Sequence, residues 1–372
     1  MHIAYDSQIF RMQQNGGISK YFVKLIEALQ IIKKDIKITV NSGITKNEHL
    51  LNSEIVFNGI SYHIFIRYLI ANRFYNFIDN YNLAIEKNTM SNSKIDIIHQ
   101  TYNGYELFVP ENKKIVITIH DLIHEKYPND FLDTEDVLIR KKQSIESADH
   151  IICISKHTQL DLIKYYKVDV SKTSVVHHGV DEFTPQYNRL IKEDYILFVG
   201  KRSGYKNFNS FLLAYSYTQF KSQVKLVCFG SANLNEEELE LIEKLDLLDR
   251  VIYITGSDMD LNNLYQYAVF FIYPSIYEGF GLPVLEAMAN NCPVICSDSS
   301  SLPEVSNNCA LSVNCENIHE LKNAMNKLFY DDELKQNLVE LGKQNVKQFS
   351  WKTTAIKTLE VYNKIINRNN EY

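Results

Sequence analysis

The sequence predicts an α/β protein built from two doubly wound, parallel-sheet domains. Three observations carry this prediction. Short apolar runs alternate with longer amphipathic ones along nearly the whole chain. Several short runs are unbroken Val/Ile/Leu stretches, as expected for parallel strands covered on both faces. The alternation restarts after a polar stretch, Asp181–Asp194, which holds Pro185 and has no periodicity. A chain of 372 residues at roughly 100–200 residues per domain predicts two domains.

The first domain, residues 1–183, should contain strands at His2–Tyr5, Ile36–Val40, Ile95–His99, Ile115–Ile119 and His150–Ile154, with a short one at Ser174–His177. Helices are expected at Ile18–Ile32 and Lys156–Tyr166. The second domain, residues 184–350, should contain strands at Tyr195–Val199, Lys225–Phe229, Val251–Ile254, Val269–Tyr273, Val294–Cys296 and Ala310–Val313. Its helices are expected at Phe208–Phe220, Leu234–Leu245 and Leu282–Ala289. The tail, residues 351–372, reads as one amphipathic helix over Ser350–Asn367 carrying the only tryptophan, Trp351.

Lys and Arg number 39 and Asp and Glu 45, a formal net charge of −6 with histidines neutral. A mildly acidic chain has no global electrostatic reason to hold nucleic acid. Hydrophobic residues make up 45% and charged residues 23%, which excludes extended disorder. No apolar run approaches the ~20 residues a membrane-spanning helix needs. The opening residues read as a strand, with no apolar signal core before them. Six cysteines are scattered without a CxxC pair, and Cys153, Cys228 and Cys296 fall inside strand-like runs. Reduced core thiols in a cytoplasmic protein are expected.

Four constellations carry chemistry. Asn15-Gly16-Gly17-Ile18-Ser19-Lys20-Tyr21 follows the first strand and opens a helix. A glycine pair there lets the backbone approach a ligand, and the open amides of a helix start attract anions. A plain turn before a helix satisfies the same residues. The run is neither a GxGxxG fingerprint nor a P-loop, since no GK[ST] follows. Next, Thr118-Ile119-His120-Asp121 ends an apolar strand, at the edge where open α/β sheets bind ligands. His120 is either a site residue or a hydrogen-bonded loop histidine. His124 lies four residues on, but no third ligand joins the pair, so a metal site is not expected.

The third constellation, Gly200 to Asn207, places Lys201, Arg202 and Lys206 between glycines at a strand end. The Arg fork and the Lys point charge suit a diphosphate; a solvated basic loop is the competing reading. The fourth runs from Pro274 to Met288. A buried strand ends in a loop with Gly279 and Gly281, and Pro283 stands in the first helical turn. The amides around Phe280, Gly281 and Leu282 would point outward from a helix start. Glu278 precedes the helix and Glu286 lies about one turn inside it. Carboxylates accept hydrogen bonds from hydroxyls, so this spacing can hold a sugar and a ribose at once. A capped helix with solvated glutamates is the bland alternative.

Glu278-x₇-Glu286, within EGFGLPVLEAMA, resembles the signature of retaining glycosyltransferases of family 4, which have the two-Rossmann GT-B fold. NGGISKY resembles the family's N-terminal Gly-rich loop. Ala148–Leu162 resembles the segment leading into the second domain. VVHHGVD resembles the usual VxxxGVD, FVGKRSGYKN the phosphate loop, and Ser299–Val305 a later loop. The terminal FSW, Phe349–Trp351, also fits, so the resemblance covers roughly the whole chain. It implies two domains facing across a cleft, with the C-terminal helix returning to the first domain. It implies that Glu286 holds the nucleotide ribose and Glu278 faces the donor sugar. Gly279 and the amides of Phe280, Gly281 and Leu282 would bind sugar hydroxyls and phosphate. Arg202 and Lys206 would neutralise the diphosphate, Gly16 and Gly17 would let the first domain close on it, and His120 would line the sugar and acceptor side. The chain departs from the pattern at His178-Gly179, where Asn-Gly is usual. At Lys201-Arg202 the family varies, which leaves open which residue takes the Arg role.

The reaction so implied moves a hexose-type sugar from a UDP- or GDP-linked donor to a hydroxyl of a glycan acceptor. That acceptor would be a growing chain on polyprenyl diphosphate, in O-antigen or lipopolysaccharide synthesis. Asp258-Met259-Asp260 has the form of an Asp-x-Asp metal motif, but it reads better as a helix first turn with favourable carboxylates. No cofactor and no metal are therefore expected, and Arg202, Lys206 and helix dipoles would stabilise the leaving group. A catalytically silent GT-B subunit that binds a nucleotide sugar and supports a partner enzyme is the main alternative. An NAD-linked dehydrogenase is poor without GxGxxG, and a sugar-nucleotide 2-epimerase lacks the glutamate signature. The segment Tyr62–Tyr81 sets Arg67 and Arg73 among aromatic and aliphatic residues. It reads as an amphipathic helix touching the inner face of the membrane, or as a first-domain helix lining the acceptor cleft or core.

Overall fold

Apolar runs buried on both sides settle into two parallel sheets in the computed structural model, which describes residues 1–61, 75–103, 113–202, 204–230 and 232–367. The first sheet holds β1 (His2–Tyr5), β2 (Lys37–Thr45), β3 (Phe57–Ser61), β4 (Ile97–Gln100), β5 (Lys114–Ile119), β6 (His150–Cys153) and β7 (Thr173–Val175). Its order is β3-β2-β1-β4-β5-β6-β7. The second holds β8 (Tyr195–Val199), β9 (Lys225–Phe229), β10 (Val251–Ile254), β11 (Phe271–Tyr273), β12 (Val294–Ser297) and β13 (Leu311–Val313), in the order β10-β9-β8-β11-β12-β13. All these strands pair in parallel. Each sheet reverses its winding beside its first strand, between β1 and β4 and between β8 and β11. Such a switch point opens a crevice beyond the carboxyl ends of the strands, where α/β sheets hold ligands.

The chain divides into two compact units, Met1–Gly179 with Trp351–Tyr372, and Val180–Ser350. The helix Trp351–Asn367 belongs to the first unit. Its Ala355, Val361, Tyr362 and Ile365 share one core with Tyr21, Phe22, Leu25 and Leu29 of the helix Gly17–Ile32. Full burial of each large apolar side chain there contributes about 1.5–3 kcal/mol. Tyr362 Oη lies 2.9 Å from Tyr5 Oη and 2.6 Å from His99 Nδ1. The far end of the sequence thus seals β1 and β4.

Several elements differ from the sequence reading. β2 extends five residues past Val40 through the polar run Asn41–Thr45, and pairs with β3 across a register shift at Asn41/Gly43. β3 was not expected, because Phe57–Ser61 (FNGIS) is an edge strand without an apolar run. The helix from Phe208 stops at Ser216 rather than Phe220. There, Ser216 Oγ and Thr218 Oγ1 donate to the carbonyls of Leu213 and Tyr215, both at 2.8 Å, closing the last turn. The polar stretch read as a linker is strapped at Gln186 and Asn188 to the helix Asp258–Tyr267. Gln266 Nε2 and Tyr267 Oη donate to Gln186 O at 2.9 and 2.7 Å, and Asn263 Nδ2 donates to Asn188 O at 2.6 Å.

Most of the Tyr62–Tyr81 segment lies outside the described residues, and the chain is helical over Tyr75–Met90. Among the described residues no helix is long and apolar enough to cross a membrane. All six cysteines are free and buried. Burial pushes the Cys153 and Cys228 thiols up to about 12, so they stay protonated core groups.

Candidate functional site

In the second unit the site forms at the β8/β11 switch point. β8 runs into the loop that opens the helix Phe208–Ser216, and β11 into the loop that opens the helix Leu282–Ala289. Backbone and side chain tie these loops together. Ile276 N donates to Tyr205 O at 2.8 Å, and Asn207 Nδ2 donates to Pro274 O at 3.3 Å and to Cys315 O at 2.8 Å. The result brings Lys206 Nζ to 2.5 Å from Glu278 Oε1 and 3.2 Å from Tyr273 Oη. The ammonium also lies 5.2 and 5.3 Å from the ring centroids of Tyr205 and Tyr273, the geometry of a cation held by aromatic faces. Burial, and then the Glu278 charge, pushes the Tyr273 phenol well above its ordinary value.

Arg202 faces another partner. Its Nε and Nη2 meet both oxygens of Glu238, at 2.9 and 3.1 Å, and Nη2 also reaches the carbonyls of Ala232 and Asn233. Arg202 is 8% exposed, whereas Lys201 is exposed to solvent. The structure therefore separates the two adjacent cations: Arg202 is built into the fold and Lys201 is not. The third cation of the loop, Lys206, and Glu278 come together, while Arg202 is oriented by Glu238.

The loop before the helix Leu282–Ala289 is braced from behind. Ser299 Oγ donates to Ile276 O at 2.7 Å, Ser301 Oγ to Glu278 O at 2.9 Å and to Phe280 O at 2.6 Å, and Glu278 N to Ser300 Oγ at 3.0 Å. Gly281 is the N-cap with φ +107, and a β carbon there would lie 2.6 Å from Leu302 Cδ2. Only glycine meets both demands. The side chain of Phe280 packs on Phe349, ring centroids 6.0 Å apart. Gly279 is buried. The amides of Gly281 and Leu282 meet no acceptor among the described residues, which suits an anion or hydroxyl. Glu286 is half-buried one turn inside the helix, and Tyr265 Oη lies 3.5 Å from its Oε2. Burial and the Glu286 carboxylate hold the Tyr265 phenol protonated.

Asp258 and Asp260 stand in the first turn of the helix Asp258–Tyr267. Asp260 N donates to Ser257 Oγ at 3.3 Å, completing a capping box in which Asp260 Oδ2 accepts from Ser257 N at 2.8 Å and from Ser257 Oγ at 2.7 Å. These bonds lower the Asp260 pKa. Among the described residues no group of three or more metal-ligating side chains gathers.

In the first unit, Gly16 caps the helix Gly17–Ile32 with an extended backbone, φ −179. Gln13 Oε1 accepts from Ser19 N at 3.1 Å and so supplies the cap that Gly16 lacks. Gly17 is exposed, with open space where a β carbon would sit. One turn into this helix, the Tyr21 ring meets His120 edge-on at 5.3 Å and stacks on His178 at 4.5 Å. Burial, with a smaller contribution from His99, pushes His120 down to about 3, so its ring is neutral at ordinary pH. Its Nε2 is buried and meets no partner among the described residues. His178 therefore serves as an aromatic plate against Tyr21. At Gly179, a β carbon would lie 2.3 Å from Trp351 N, so the backbone must pass bare against the start of the C-terminal helix.

Sequence reasoning missed Glu238, Tyr253, Tyr265 and Tyr273. Only Glu238 carried a readable signal: Asn235-x-x-Glu238 has capping-box spacing, and the box forms. The serine brace fell in Ser299–Val305, a segment noted for resemblance but not for a physical role.

Comparison with known families decides the kinship. A family model described as "Glycosyltransferase Family 4" matches residues 15–182, and one described as "Glycosyl transferases group 1" matches residues 180–345. The chain belongs to the family 4 glycosyltransferases. This family 4 chain is 33% identical over 207 residues to the O-antigen chain mannosyltransferase RfbU of Salmonella typhimurium, covering 55% of this chain and 58% of RfbU. It is 27% identical over 281 residues to O-antigen chain mannosyltransferase B of Escherichia coli, covering 70% and 73%. The match to RfbU thus spans little more than half of that protein's length. Among solved structures, a sucrose-phosphate synthase from Thermosynechococcus elongatus shares the fold at TM-score 0.79 and 21% identity, over 99% of this chain and 100% of that one. The two parallel-sheet units are those of the GT-B fold.

Proposed function

We propose that this family 4 chain transfers a hexose from a nucleoside-diphosphate sugar to a hydroxyl of a growing, lipid-linked glycan in surface-polysaccharide synthesis, with retention and without a metal ion. The observation that carries the reading is the Lys206–Glu278 pair beside the open helix start at Gly281 and Leu282. A diphosphate arriving there would exchange for Glu278 at Lys206 and receive the two amides. Glu278 would then be released toward the sugar hydroxyls, and Glu286 would accept from the ribose.

In the reaction the bond from the anomeric carbon to the diphosphate oxygen breaks, and its electrons leave with the nucleoside diphosphate. The acceptor oxygen bonds to the anomeric carbon on the same face, and its proton passes to the departing phosphate oxygen. Lys206 and the helix-start amides stabilise the growing charge, as fixed donors do for other leaving oxyanions. His120, neutral and with Nε2 unsatisfied, would hydrogen-bond a sugar hydroxyl rather than carry charge.

Two relatives are named as mannosyltransferases, so GDP-mannose is the first donor to test, beside UDP-glucose and UDP-N-acetylglucosamine. Purified chain is given each donor and a polyprenyl-diphosphate glycan acceptor in EDTA, and the product anomer is read by NMR. Retained configuration with full activity in EDTA is expected. An inverted product, or strict dependence on Mn²⁺ or Mg²⁺, would overturn the mechanism. Donor binding without product from any acceptor would return the silent-subunit reading.

A further inference from the structure

Arg202 has five N–H donors, and the fold directs all but those of one nitrogen into the protein. Nε and Nη2 are taken by the Glu238 carboxylate and by the carbonyls of Ala232 and Asn233. The guanidinium carbon lies 5.3 Å from the Tyr253 ring centroid. Tyr253 Oη in turn donates to Gly230 O at 2.8 Å, fixing that ring against the end of β9. Nη1 is left. Among the described residues it meets no acceptor, and it sits 3.8 Å from where a β carbon on Gly230 would stand. Gly230 follows β9 and Gly200 follows β8, so Nη1 looks onto the carboxyl edge of the second sheet.

We propose that Glu238 and Tyr253 are positioning residues, which lock Arg202 so that Nη1 alone is presented to the donor diphosphate; this rests on the functional reading above. Glu238 does so from N3 of the helix Glu236–Lys244, which joins the start of that helix to the ligand edge. A buried Arg needs a counter-charge, and Glu238 supplies one at the cost of cancelling most of the Arg charge. Arg202 therefore acts by the direction of its donors more than by net attraction.

The two ways of acting predict opposite signs. If only charge mattered, Glu238→Gln would remove an anion beside the ligand and tighten diphosphate binding. If orientation matters, the isosteric Gln keeps the helix cap but loses the ionic fork, and binding weakens. The test is calorimetric titration of wild type, Glu238→Gln, Glu238→Asp, Tyr253→Leu and Asn235→Ala with UDP and with GDP, each well below its own melting temperature. Asn235→Ala breaks the other half of the same cap without touching the fork, and so reports a merely structural effect. For the nucleotide that wild type binds, a loss of about tenfold or more is expected for Glu238→Gln and Tyr253→Leu, with less than twofold for Asn235→Ala. Affinity in Glu238→Gln equal to or tighter than wild type would overturn the inference while leaving the functional reading intact. Should that variant not fold, equal affinity in Glu238→Asp and Tyr253→Leu would do the same. Failure of wild type to bind either nucleotide would overturn the functional reading and the inference with it.

Discussion

Lys206 and Glu278 sit 2.5 Å apart although 72 positions separate them in sequence. Their side chains are only 13% and 12% exposed, so each is the main counter-charge of the other. Removing either leaves a partly buried ion with no ion-pair partner among the described residues.

The pair should therefore split binding from turnover. Lys206→Ala is expected to lower turnover by about 10²-fold or more, the scale of losing one oxyanion donor, and to weaken nucleoside-diphosphate binding. Glu278→Gln should lower turnover too, yet bind the free nucleoside diphosphate at least as tightly as wild type, because Lys206 no longer has a competing carboxylate. Calorimetry alongside steady-state rates checks both. Near-normal turnover in both variants would remove the pair from the mechanism.

Arg202 and Lys201 are neighbours in sequence with different environments. Lys201→Ala, at an exposed position, should leave donor affinity within about twofold of wild type and the melting temperature unchanged, since surface substitutions usually stay within about 0.5 kcal/mol. Arg202→Ala should reduce both, because it strands Glu238 and removes Nη1. A larger donor-affinity loss at Lys201 than at Arg202 would reverse the assignment.

Glu286→Gln should weaken binding of the intact nucleotide about 10- to 100-fold, the range expected when charge-assisted hydrogen bonds worth about 1.5–3 kcal/mol are lost. The effect should vanish against inorganic diphosphate, which has no ribose. Competition titration with both ligands distinguishes the cases.

Gly281→Ala should cost about 1–3 kcal/mol of stability, from a left-handed backbone forced on a β carbon, and more if Leu302 cannot give way. Thermal unfolding of the variant measures it. A melting temperature equal to wild type would show that the loop has another conformation open to it.

Stability should fall on acidification. Burial holds His99 and His120 at about 3 and His178 well below 6.5. Below about 6.5 the unfolded chain takes protons that the folded chain refuses. The stability from these histidines is complete above that pH and is lost as pH falls toward 3, by up to about 1.4 kcal/mol per pH unit for each. Asp6 opposes this. Burial, then the Glu86 charge, pushes it up to about 7, so between about 7 and its ordinary value the folded chain holds the extra proton and gains stability as pH falls. Urea midpoints at pH 7.5 and 5 should drop for wild type, and drop further for Asp6→Asn, which lacks the compensating proton. A midpoint that rises toward pH 5 would contradict the account.

Much of the fold was legible. Apolar runs located β1, β8, β9 and β10 to the residue, and the helical patterns at Lys156–Tyr166 and Leu282–Ala289 match the helices that form there. The misses have local causes. β3 is a polar edge strand that the apolar pattern does not mark, and the helix from Phe208 ends early because hydroxyls of Ser216 and Thr218 take its last carbonyls. Of the site, the residue types at Lys206, Glu278 and Glu286 were readable. Tyr273 beside Lys206 and Tyr265 beside Glu286 were not, since both look in sequence like ordinary strand and helix residues.

By itself, the amino-acid sequence determined the alternation of strands and helices, the restart that makes two sheets, and the glycine-bounded loops that carry the charged groups. These depend on spacing between near neighbours, which periodicity records. Tertiary structure alone decided that Lys206 faces Glu278, that Arg202 is turned to Glu238, and that Tyr362 closes on Tyr5 and His99. Those contacts follow from β8 lying between β9 and β11 and from a C-terminal helix packing on the first unit. Strand order and helix return are set by the burial of whole faces, a property of the assembled chain that no short stretch of residues encodes.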